Sequence, residues 1–151
     1  MNCAAITANL FVGPCPCDAD DLRYLKSRSV TAILSLLTLE DQQELGATEA
    51  EIEARAADLV YRNVPVNDFD DLDLKRRLPA CVEALNDLLK TGHRVYVHCT
   101  AGVTRSPTVI AAYLHWQLHW PLDDAIERLQ ALRRCCPRGD LVQIARPSRL
   151  G

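Results

Sequence analysis

Short apolar runs alternate along this chain with longer stretches in which apolar residues recur every three or four positions. The short runs, rich in β-branched and aromatic residues, predict strands at residues 9–12, 30–37, 60–66 and 93–98. The longer stretches predict helices at residues 18–29, 48–59, 78–91, 106–118, 122–134 and 140–144. Because strands alternate with helices, we expect an α/β fold with a mostly parallel central sheet flanked by helices.

Capping signals set the expected start of three helices. Thr48, followed three positions later by Glu51, has the spacing of a capping box. The helix at residues 78–91 is expected to carry Pro79 in its first turn, where proline is tolerated. Asp140 is expected to cap the last short helix.

At 151 residues the chain has room for one domain, which we expect over residues 1–146, with residues 147–151 as a tail. The net charge of −3 gives no electrostatic reason to expect binding to nucleic acid or to an anionic membrane. No apolar run approaches the roughly 18 residues of a membrane span, and the N-terminus lacks the basic and apolar segments of a signal peptide. We therefore expect a cytoplasmic monomer that does not contact membranes.

Seven cysteines are an odd number for a disulfide framework and fit a reducing compartment. The pairs Cys15 with Cys17 and Cys135 with Cys136 lack the usual ligand spacing of a zinc site. We therefore expect no metal and no cofactor. Whether one of these thiols forms a redox pair with a reactive cysteine stays open.

The residues that follow the fourth predicted strand carry the main chemical signal. Cys99 and Arg105 stand six positions apart around Gly102, and a Ser-Pro pair then opens a helix. A strand, a tight loop and a helix in this order aim backbone N–H groups and the positive end of the helix dipole at one point. Such a point binds an anion with several oxygens, to which Arg105 adds a bidentate fork. Cys99, at its base, is placed to react as a thiolate nucleophile on a bound phosphate.

Cleavage of a phosphate ester also needs a proton donor for the leaving oxygen, and a carboxyl group on a loop suits this role. Residues 67–73 form an acidic loop with four candidates, Asp68, Asp70, Asp71 and Asp73. Each of them also fits a solvated loop charge or the cap of the next helix. The residue types alone leave the choice among them open.

The run His-Cys-Thr-Ala-Gly-Val-Thr-Arg-Ser at residues 98–106 resembles the HCxxGxxRS signature of the protein-tyrosine-phosphatase superfamily, and its surroundings resemble the dual-specificity branch. The resemblance implies the fold of that branch and a cysteine-dependent phosphatase with a phosphocysteine intermediate. It makes Cys99 the nucleophile and places Ser106 beside it, to ease the departure of the thiolate. Asp68, 31 residues before Cys99, has the separation of the general acid in that branch. The backbone amides implied to hold the phosphoryl oxygens are those of Thr100, Ala101, Gly102, Val103, Thr104 and Arg105.

A finer resemblance concerns the acidic loop and the helix after it. Residues 68–80 and the Cys-Thr-Ala-Gly opening at residues 99–102 are similar to the plant glucan phosphatases, which dephosphorylate starch. In that group the first Asp of the loop is the acid and the following Phe contacts glucan, which implies these roles for Asp68 and Phe69. The substrate that the resemblance implies is a phosphorylated glucan.

Three other interpretations stay open. Thr104 stands before the signature arginine, where glucan phosphatases usually carry Gly and protein phosphatases carry Ser or Thr, so a protein bearing phosphotyrosine or phosphoserine/threonine is the alternative substrate. A phosphate-binding module without turnover is another alternative, against which the presence of Cys99, Arg105 and the acidic loop argues. A sulfurtransferase also places a cysteine in an anion-binding loop, but it has no need of Asp68 or Ser106.

Overall fold

A five-stranded β-sheet lies at the centre of the computed structural model, which describes residues 1–46, 54 and 57–146. Its strands are β1 (Ala4–Thr7), β2 (Leu10–Gly13), β3 (Ala32–Ser35), β4 (Val60–Asn63) and β5 (Val95–His98). They lie side by side in the order β1, β2, β5, β3, β4. β1 is antiparallel to β2, and the other neighbours are parallel. The expected α/β fold with a mostly parallel sheet is confirmed.

β1 is the strand that the sequence pattern does not predict. Ile6 is its one buried residue, so the segment lacks the alternation of large apolar and polar side chains that marks a strand. It lies at the edge of the sheet, where it pairs with β2. An edge strand that buries a single side chain gives too weak a pattern for prediction.

β5 occupies the middle of the sheet and is buried along its whole length. It pairs with β2 on one side and with β3 on the other. Gly13, Ser35 and His98 therefore end three adjacent strands at the same level. Because ligands of such sheets bind beyond the carboxyl ends of the strands, this level is where a site is expected.

Six helices pack around the sheet within the described residues, and four of them follow the predicted ranges. They are α1 (Ala19–Ser27), α2 (Leu39–Leu45), α3 (Asp71–Lys90), α4 (Arg105–Trp116), α5 (Leu122–Leu132) and α6 (Gly139–Ala145). The predictions for α1, α4, α5 and α6 are confirmed to within two residues at each end. The helix predicted at residues 48–59, with its capping pair Thr48 and Glu51, lies mostly outside the described residues, and so does the tail at 147–151.

α2 is a helix that the sequence analysis missed. The side chain of Thr38 accepts a hydrogen bond from the Asp41 N–H at 3.2 Å, and the Asp41 carboxylate accepts one from the Thr38 N–H at 3.0 Å. This reciprocal pair is a capping box. No residue of α2 itself is buried, so it has no apolar stripe from which a helical period can be identified.

α3 begins at Asp71 rather than at residue 78. Asp70 caps it by accepting a hydrogen bond from the Asp73 N–H at 3.0 Å. The prediction that Pro79 lies in the first turn was wrong, because Pro79 lies inside this helix of 20 residues. Proline there removes one backbone hydrogen bond, and the eight residues that α3 buries hold it in place. The acidic loop is correspondingly shorter and ends at Asp70.

The prediction that Asp140 caps α6 was also wrong. α6 begins at Gly139, and Arg138 occupies the capping position without a side-chain cap. The Asp140 carboxylate instead forms an ion pair with Arg138 at 2.9 Å. Arg138 also reaches Asp71 at 2.7 Å, so this arginine connects the first turns of α3 and α6.

Apolar side chains cover both faces of the sheet. α3 and α4 lie on one face, where Leu85 and Ile110 belong to the same buried cluster as Val97 of β5, and α1 lies on the other face. α4 is buried at every position except His115. The loop between β5 and α4 is thus held between two buried elements.

Within residues 1–46, 54 and 57–146, no helix combines the length and the apolar character needed to cross a bilayer.

Candidate active site

A cavity of about 280 Å³ opens over the loop between β5 and α4. Cys99 follows β5 directly and Arg105 begins α4, and both side chains are almost completely buried. The Sγ atom of Cys99 lies 3.3 Å from the Oγ atom of Ser106, which agrees with the predicted contact between the two. The cavity is lined by Asp68, Phe69, Cys99, Thr100, Ala101, Val103, Thr104 and Arg105. The structure therefore brings the predicted residues of the two loops together.

Residues 99–104 are here called the phosphate loop, and each of their backbone carbonyl groups accepts a hydrogen bond. The donors, in order, are His98 Nδ1 at 3.0 Å, Cys15 N at 2.9 Å, Arg133 Nη2 at 2.6 Å, Arg133 Nε at 2.9 Å, Cys136 N at 2.7 Å and Thr108 N at 3.0 Å. In a trans peptide the C=O and the following N–H point in opposite directions. Because each of these carbonyls is bonded to a donor outside residues 99–104, we infer that the N–H groups of residues 100–105 face the cavity. This arrangement binds an oxyanion through backbone amides.

Gly102 allows the phosphate loop to lie close to the end of β2. Its φ angle of 71° is in the left-handed region, which favours glycine. A Cβ atom at this position would lie 2.6 Å from the carbonyl carbon of Gly13. Both the conformation and the space therefore require glycine here.

The Arg105 guanidinium is held in place by groups from three parts of the chain. Its Nη1 atom donates to Asp41 Oδ2 and to the carbonyl of Val66, each at 2.8 Å. Its Nη2 atom lies 3.4 Å from Asp68 Oδ2 and donates to Thr100 Oγ1 at 3.3 Å. Its Nε–H is buried and has no partner within the described part of the chain. Arg105 is thus fixed beside the cavity, with one N–H left for an oxygen of a bound anion.

Asp41 is a site residue that the sequence analysis missed. It is the third residue of α2 and takes part in the Thr38 capping box. Burial on its own would raise the pKa of the Asp41 carboxyl, but the hydrogen bonds from Arg105 and from the Thr38 N–H outweigh it and lower the pKa. The spacing of Thr38 and Asp41 is a local signal for a helix start. No local signal shows that this helix end meets Arg105, 64 residues further along.

Substitution Asp41→Asn should lower kcat/KM for a small aryl phosphate by roughly tenfold, because the carboxylate that pairs with the Arg105 guanidinium is replaced by an uncharged amide. The lowered pKa of Asp41 also predicts how the contribution of this residue to stability changes with pH. Asp41 contributes stability above its unfolded-state pKa of about 3.9, and this contribution is lost as the pH falls through the folded-state pKa. The difference in free energy of unfolding between wild type and variant should therefore shrink in acid.

Steady-state kinetics at neutral pH and urea unfolding over a pH series measure both effects. Glu40→Gln is the matched control, because Glu40 is an exposed carboxylate in the same helix turn. An Asp41→Asn variant with the kcat/KM of the wild type would contradict the role assigned to the Asp41–Arg105 ion pair.

Asp68 lies across the cavity from the phosphate loop. Its Oδ1 atom accepts a hydrogen bond from the Phe69 N–H at 3.1 Å, and its Oδ2 atom faces Arg105. The side chain is 31% exposed, so water and a substrate can reach it. This is a suitable position for the proton donor, a role that stays a prediction.

The other three carboxylates of the predicted loop have structural partners. Asp70 caps α3, and Asp71 pairs with Arg138 at 2.7 Å. Asp73 is buried, where hydrogen bonds from the Asn67 N–H and from a neighbouring arginine lower the pKa of its carboxyl. A carboxyl group that holds its proton poorly is a weak acid catalyst near neutral pH. These contacts favour Asp68 over its three alternatives.

Phe69 stands at the mouth of the cavity. Its side chain is 99% exposed, which is unusual for an aromatic residue, and its φ angle of 57° is in the left-handed region. Phe69 also lines a second depression, here called the rim groove, beside Asn67, Asp70, Asp71, Leu74, Cys136 and Arg138. The ring therefore lies between the cavity over Cys99 and the neighbouring rim groove.

His98 supports the phosphate loop from inside the sheet. Complete burial lowers the pKa of its imidazole to about 4, so the ring is neutral at physiological pH. Its Nδ1 atom lies 3.0 Å from the carbonyl oxygen of Cys99. Because a carbonyl only accepts, the neutral ring carries its hydrogen on Nδ1.

All seven cysteines are free thiols, and burial raises the pKa of Cys15, whose N–H binds the loop, to about 12.

Cys99 is buried at the base of a cavity that the backbone amides of the phosphate loop face, and Arg105 begins the next helix. This arrangement defines a cysteine-dependent phosphatase domain. The family model for the catalytic domain of dual specificity phosphatases matches residues 10–143. The chain therefore belongs to the dual specificity phosphatase family. The matched range includes the phosphate loop, the acidic loop and α2.

Two curated plant proteins resemble the chain along most of its length. The chloroplastic phosphoglucan phosphatase LSF1 of Arabidopsis thaliana is 34% identical over 91% of this chain, and the amyloplastic phosphoglucan phosphatase DSP4 of Castanea sativa is 34% identical over 96%. The chain spans only 24% and 40% of the length of these relatives. Among solved structures, PTPMT1 in complex with PI(5)P has a TM-score of 0.78 at 22% identity, covering 96% of this chain and 92% of that one. This last likeness shows the fold.

Proposed function

We propose that the chain hydrolyses phosphate monoesters of glucans through a phosphocysteine intermediate. The observation that carries the substrate class is Phe69, a fully exposed aromatic ring at the mouth of the cavity. The names of the two plant relatives, both phosphoglucan phosphatases, support the same substrate.

The first step transfers the phosphoryl group to Cys99. The thiolate attacks phosphorus, while the amides of residues 100–105 and the Arg105 guanidinium bind the three non-bridging oxygens. The bond from phosphorus to the sugar oxygen breaks as the new sulfur–phosphorus bond forms. Asp68 gives its proton to the departing oxygen, so the sugar leaves as a neutral alcohol and Asp68 becomes a carboxylate.

The second step releases phosphate. The Asp68 carboxylate takes a proton from a water molecule, and the resulting hydroxide attacks phosphorus and displaces the thiolate of Cys99. The Ser106 hydroxyl, 3.3 Å from Cys99 Sγ, donates a hydrogen bond to the departing sulfur. Inorganic phosphate leaves, and both Cys99 and Asp68 return to their starting protonation states.

The charges around the cavity support a substrate whose body is neutral. Asp68 and Asp70 flank Phe69 on the acidic loop, and Asp71 begins α3 beside them. Two basic residues line the rim groove, and both already have carboxylate partners: Arg138 pairs with Asp71 and Asp140, and Arg105 pairs with Asp41 and Asp68. An acidic peptide would therefore meet repulsion beside the cavity, whereas sugar hydroxyls can donate to these carboxylates. An aromatic face next to such acceptors suits one side of a sugar ring.

A phosphotyrosine side chain is the second candidate. Its ring could stack on Phe69 as a sugar ring would, and Thr104 before Arg105 is the residue type that protein phosphatases carry at this position. A comparison of a phosphorylated glucan, a phosphotyrosine peptide and a phosphoserine peptide at equal concentration decides between the candidates. Faster turnover of either peptide than of the glucan would overturn the proposed substrate.

We also propose that the protein works in a reducing compartment, namely the cytoplasm. Seven free thiols support this, since such a set is readily oxidised elsewhere. Fractionation of cells with an antibody to the native protein tests the proposal, and recovery in an organelle would overturn it.

Substitution Phe69→Ala should lower kcat/KM for a phosphorylated glucan by roughly fivefold or more, because loss of a stacking ring costs about 1 kcal/mol or more in the transition state. The value for a small aryl phosphate should change much less, since that ester does not extend over the rim. The measurement is kcat/KM for both substrates with the same enzyme preparation.

Leu72→Ala is the matched control for Phe69→Ala. Leu72 is a second exposed apolar residue, the second residue of α3, and it does not line the cavity over Cys99. It should leave both substrates unaffected. Equal losses for the two substrates in Phe69→Ala would contradict the sugar platform and would indicate that Phe69 positions Asp68.

A further inference from the structure

Arg133, immediately after α5, contacts the phosphate loop from its outer side. Its Nη2 atom donates to the carbonyl of Ala101 at 2.6 Å, and its Nε atom donates to the carbonyl of Gly102 at 2.9 Å. The third bond runs from Nη1 to the carbonyl of Asn2 at 2.7 Å. Arg133 does not line the cavity over Cys99, so it has no contact with a bound phosphoryl group.

The two contacted carbonyls belong to consecutive peptide units. A carbonyl held outward turns the next N–H inward, so the Ala101 bond orients the N–H of Gly102 and the Gly102 bond orients that of Val103. Neighbouring loop carbonyls are held by the backbone N–H groups of Cys15 and Cys136. In the middle of the loop, a single side chain performs this task for two peptide units.

This middle part of the loop needs such support. Gly102 has no side chain and adopts a left-handed conformation, so its peptide units rotate more easily than those of other residues. Two N–H groups directed into one cavity also repel each other when no anion is present. A guanidinium offers two N–H bonds in a fixed plane, whereas a lysine ammonium cannot reproduce this fork.

We propose that Arg133 is a positioning residue for phosphoryl transfer, which keeps the N–H groups of Gly102 and Val103 directed at the oxyanion. The inference rests on the proposed mechanism at Cys99, but not on the identity of the substrate body. By holding the amides before substrate arrives, Arg133 lowers the reorganisation needed for the transition state.

The test compares Arg133→Met and Arg133→Lys with the control Arg134→Met, in which the exposed neighbouring arginine is replaced. The first readout is the dissociation constant of inorganic tungstate, measured by calorimetry. The second is kcat/KM for a small aryl phosphate. Neither readout involves a glucan, so a wrong substrate assignment would leave the test unaffected. Failure of the covalent mechanism itself would appear as activity in Cys99→Ser, which is a separate measurement.

Arg133→Met should bind tungstate roughly 10- to 100-fold more weakly and lose kcat/KM to a similar extent, since misdirecting an oxyanion donor is less costly than removing one. Arg133→Lys should show the same changes to a smaller extent, and Arg134→Met should match wild type.

A folded Arg133→Met variant with unchanged tungstate affinity and unchanged kcat/KM would overturn the proposal. If that variant does not fold, Arg133→Lys decides: wild-type values in both readouts would then overturn it. Equal losses in Arg134→Met would also overturn it, because they would indicate a general effect of positive charge.

Discussion

Cys99→Ser is expected to abolish hydrolysis of an aryl phosphate while leaving the fold intact, with kcat lower by roughly 10⁴-fold or more, as for loss of other catalytic nucleophiles. Serine occupies nearly the same volume as cysteine, but its hydroxyl does not ionise near neutral pH. The Cys99 side chain is buried at the base of the cavity, with the Ser106 hydroxyl oxygen 3.3 Å from its Sγ atom. Initial rates and circular dichroism measure the two parts of the prediction.

Cys15→Ser and Cys136→Ser are the controls for this substitution. Both residues contact the phosphate loop through backbone N–H groups, which serine retains, so activity should survive in each. Cys99→Ser should also still bind tungstate, because its amides and Arg105 are unchanged. Substantial activity in Cys99→Ser would disprove the covalent mechanism.

Asp68→Asn should lower kcat by roughly 10²–10⁴-fold, the usual contribution of a positioned acid. An amide cannot give its proton to the leaving oxygen or take one from water, so both steps are slowed. The basic limb of the pH profile, which reports loss of the proton from the acid, should flatten. This readout separates proton transfer from the contact between Asp68 and Arg105, which affects binding at every pH.

Asp70→Asn is the comparison for Asp68→Asn. Asp70 caps α3, and asparagine is also a good cap. We therefore expect near-normal kcat and only a small change in the free energy of unfolding. If Asp70→Asn were the more severe of the two and flattened the basic limb, the general acid would be Asp70.

The local part of the site was predictable because its signals lie within a few residues. Cys99, Gly102 and Arg105 are placed by one strand, one tight loop and one helix start, and each of these has its own pattern. The structure brings the acidic loop to the same cavity, with Asp68 and Phe69 on its lining. The roles of these residues remain predictions that the variants above test.

The parts that sequence could not supply depend on contacts between distant segments. Asp41 and Arg105 are 64 residues apart, and Arg133 and Gly102 are 31 residues apart. Hydrophobic periodicity gives no information about which helix end will approach a given loop. α2 has no buried residue and β1 has only one, so neither gives a periodic signal. Pro79 misled the prediction because tertiary packing of α3 overrides the local cost of proline.

The central position of β5 also determines how the chain can fold. The described sheet contains two pairs of strands, β1 with β2 and β3 with β4, and only β5 joins these two pairs. Leu10 pairs with Val95, so closing the sheet brings together segments that are far apart in the sequence, and such long-range pairing folds slowly. Until β5 has been synthesised, neither pair can fill the strand edge that β5 later covers. An unpaired strand edge can bind the strand of another chain and so promotes aggregation. Substitutions in β5 should therefore reduce the yield of soluble protein before they change the catalytic rate of the molecules that do fold.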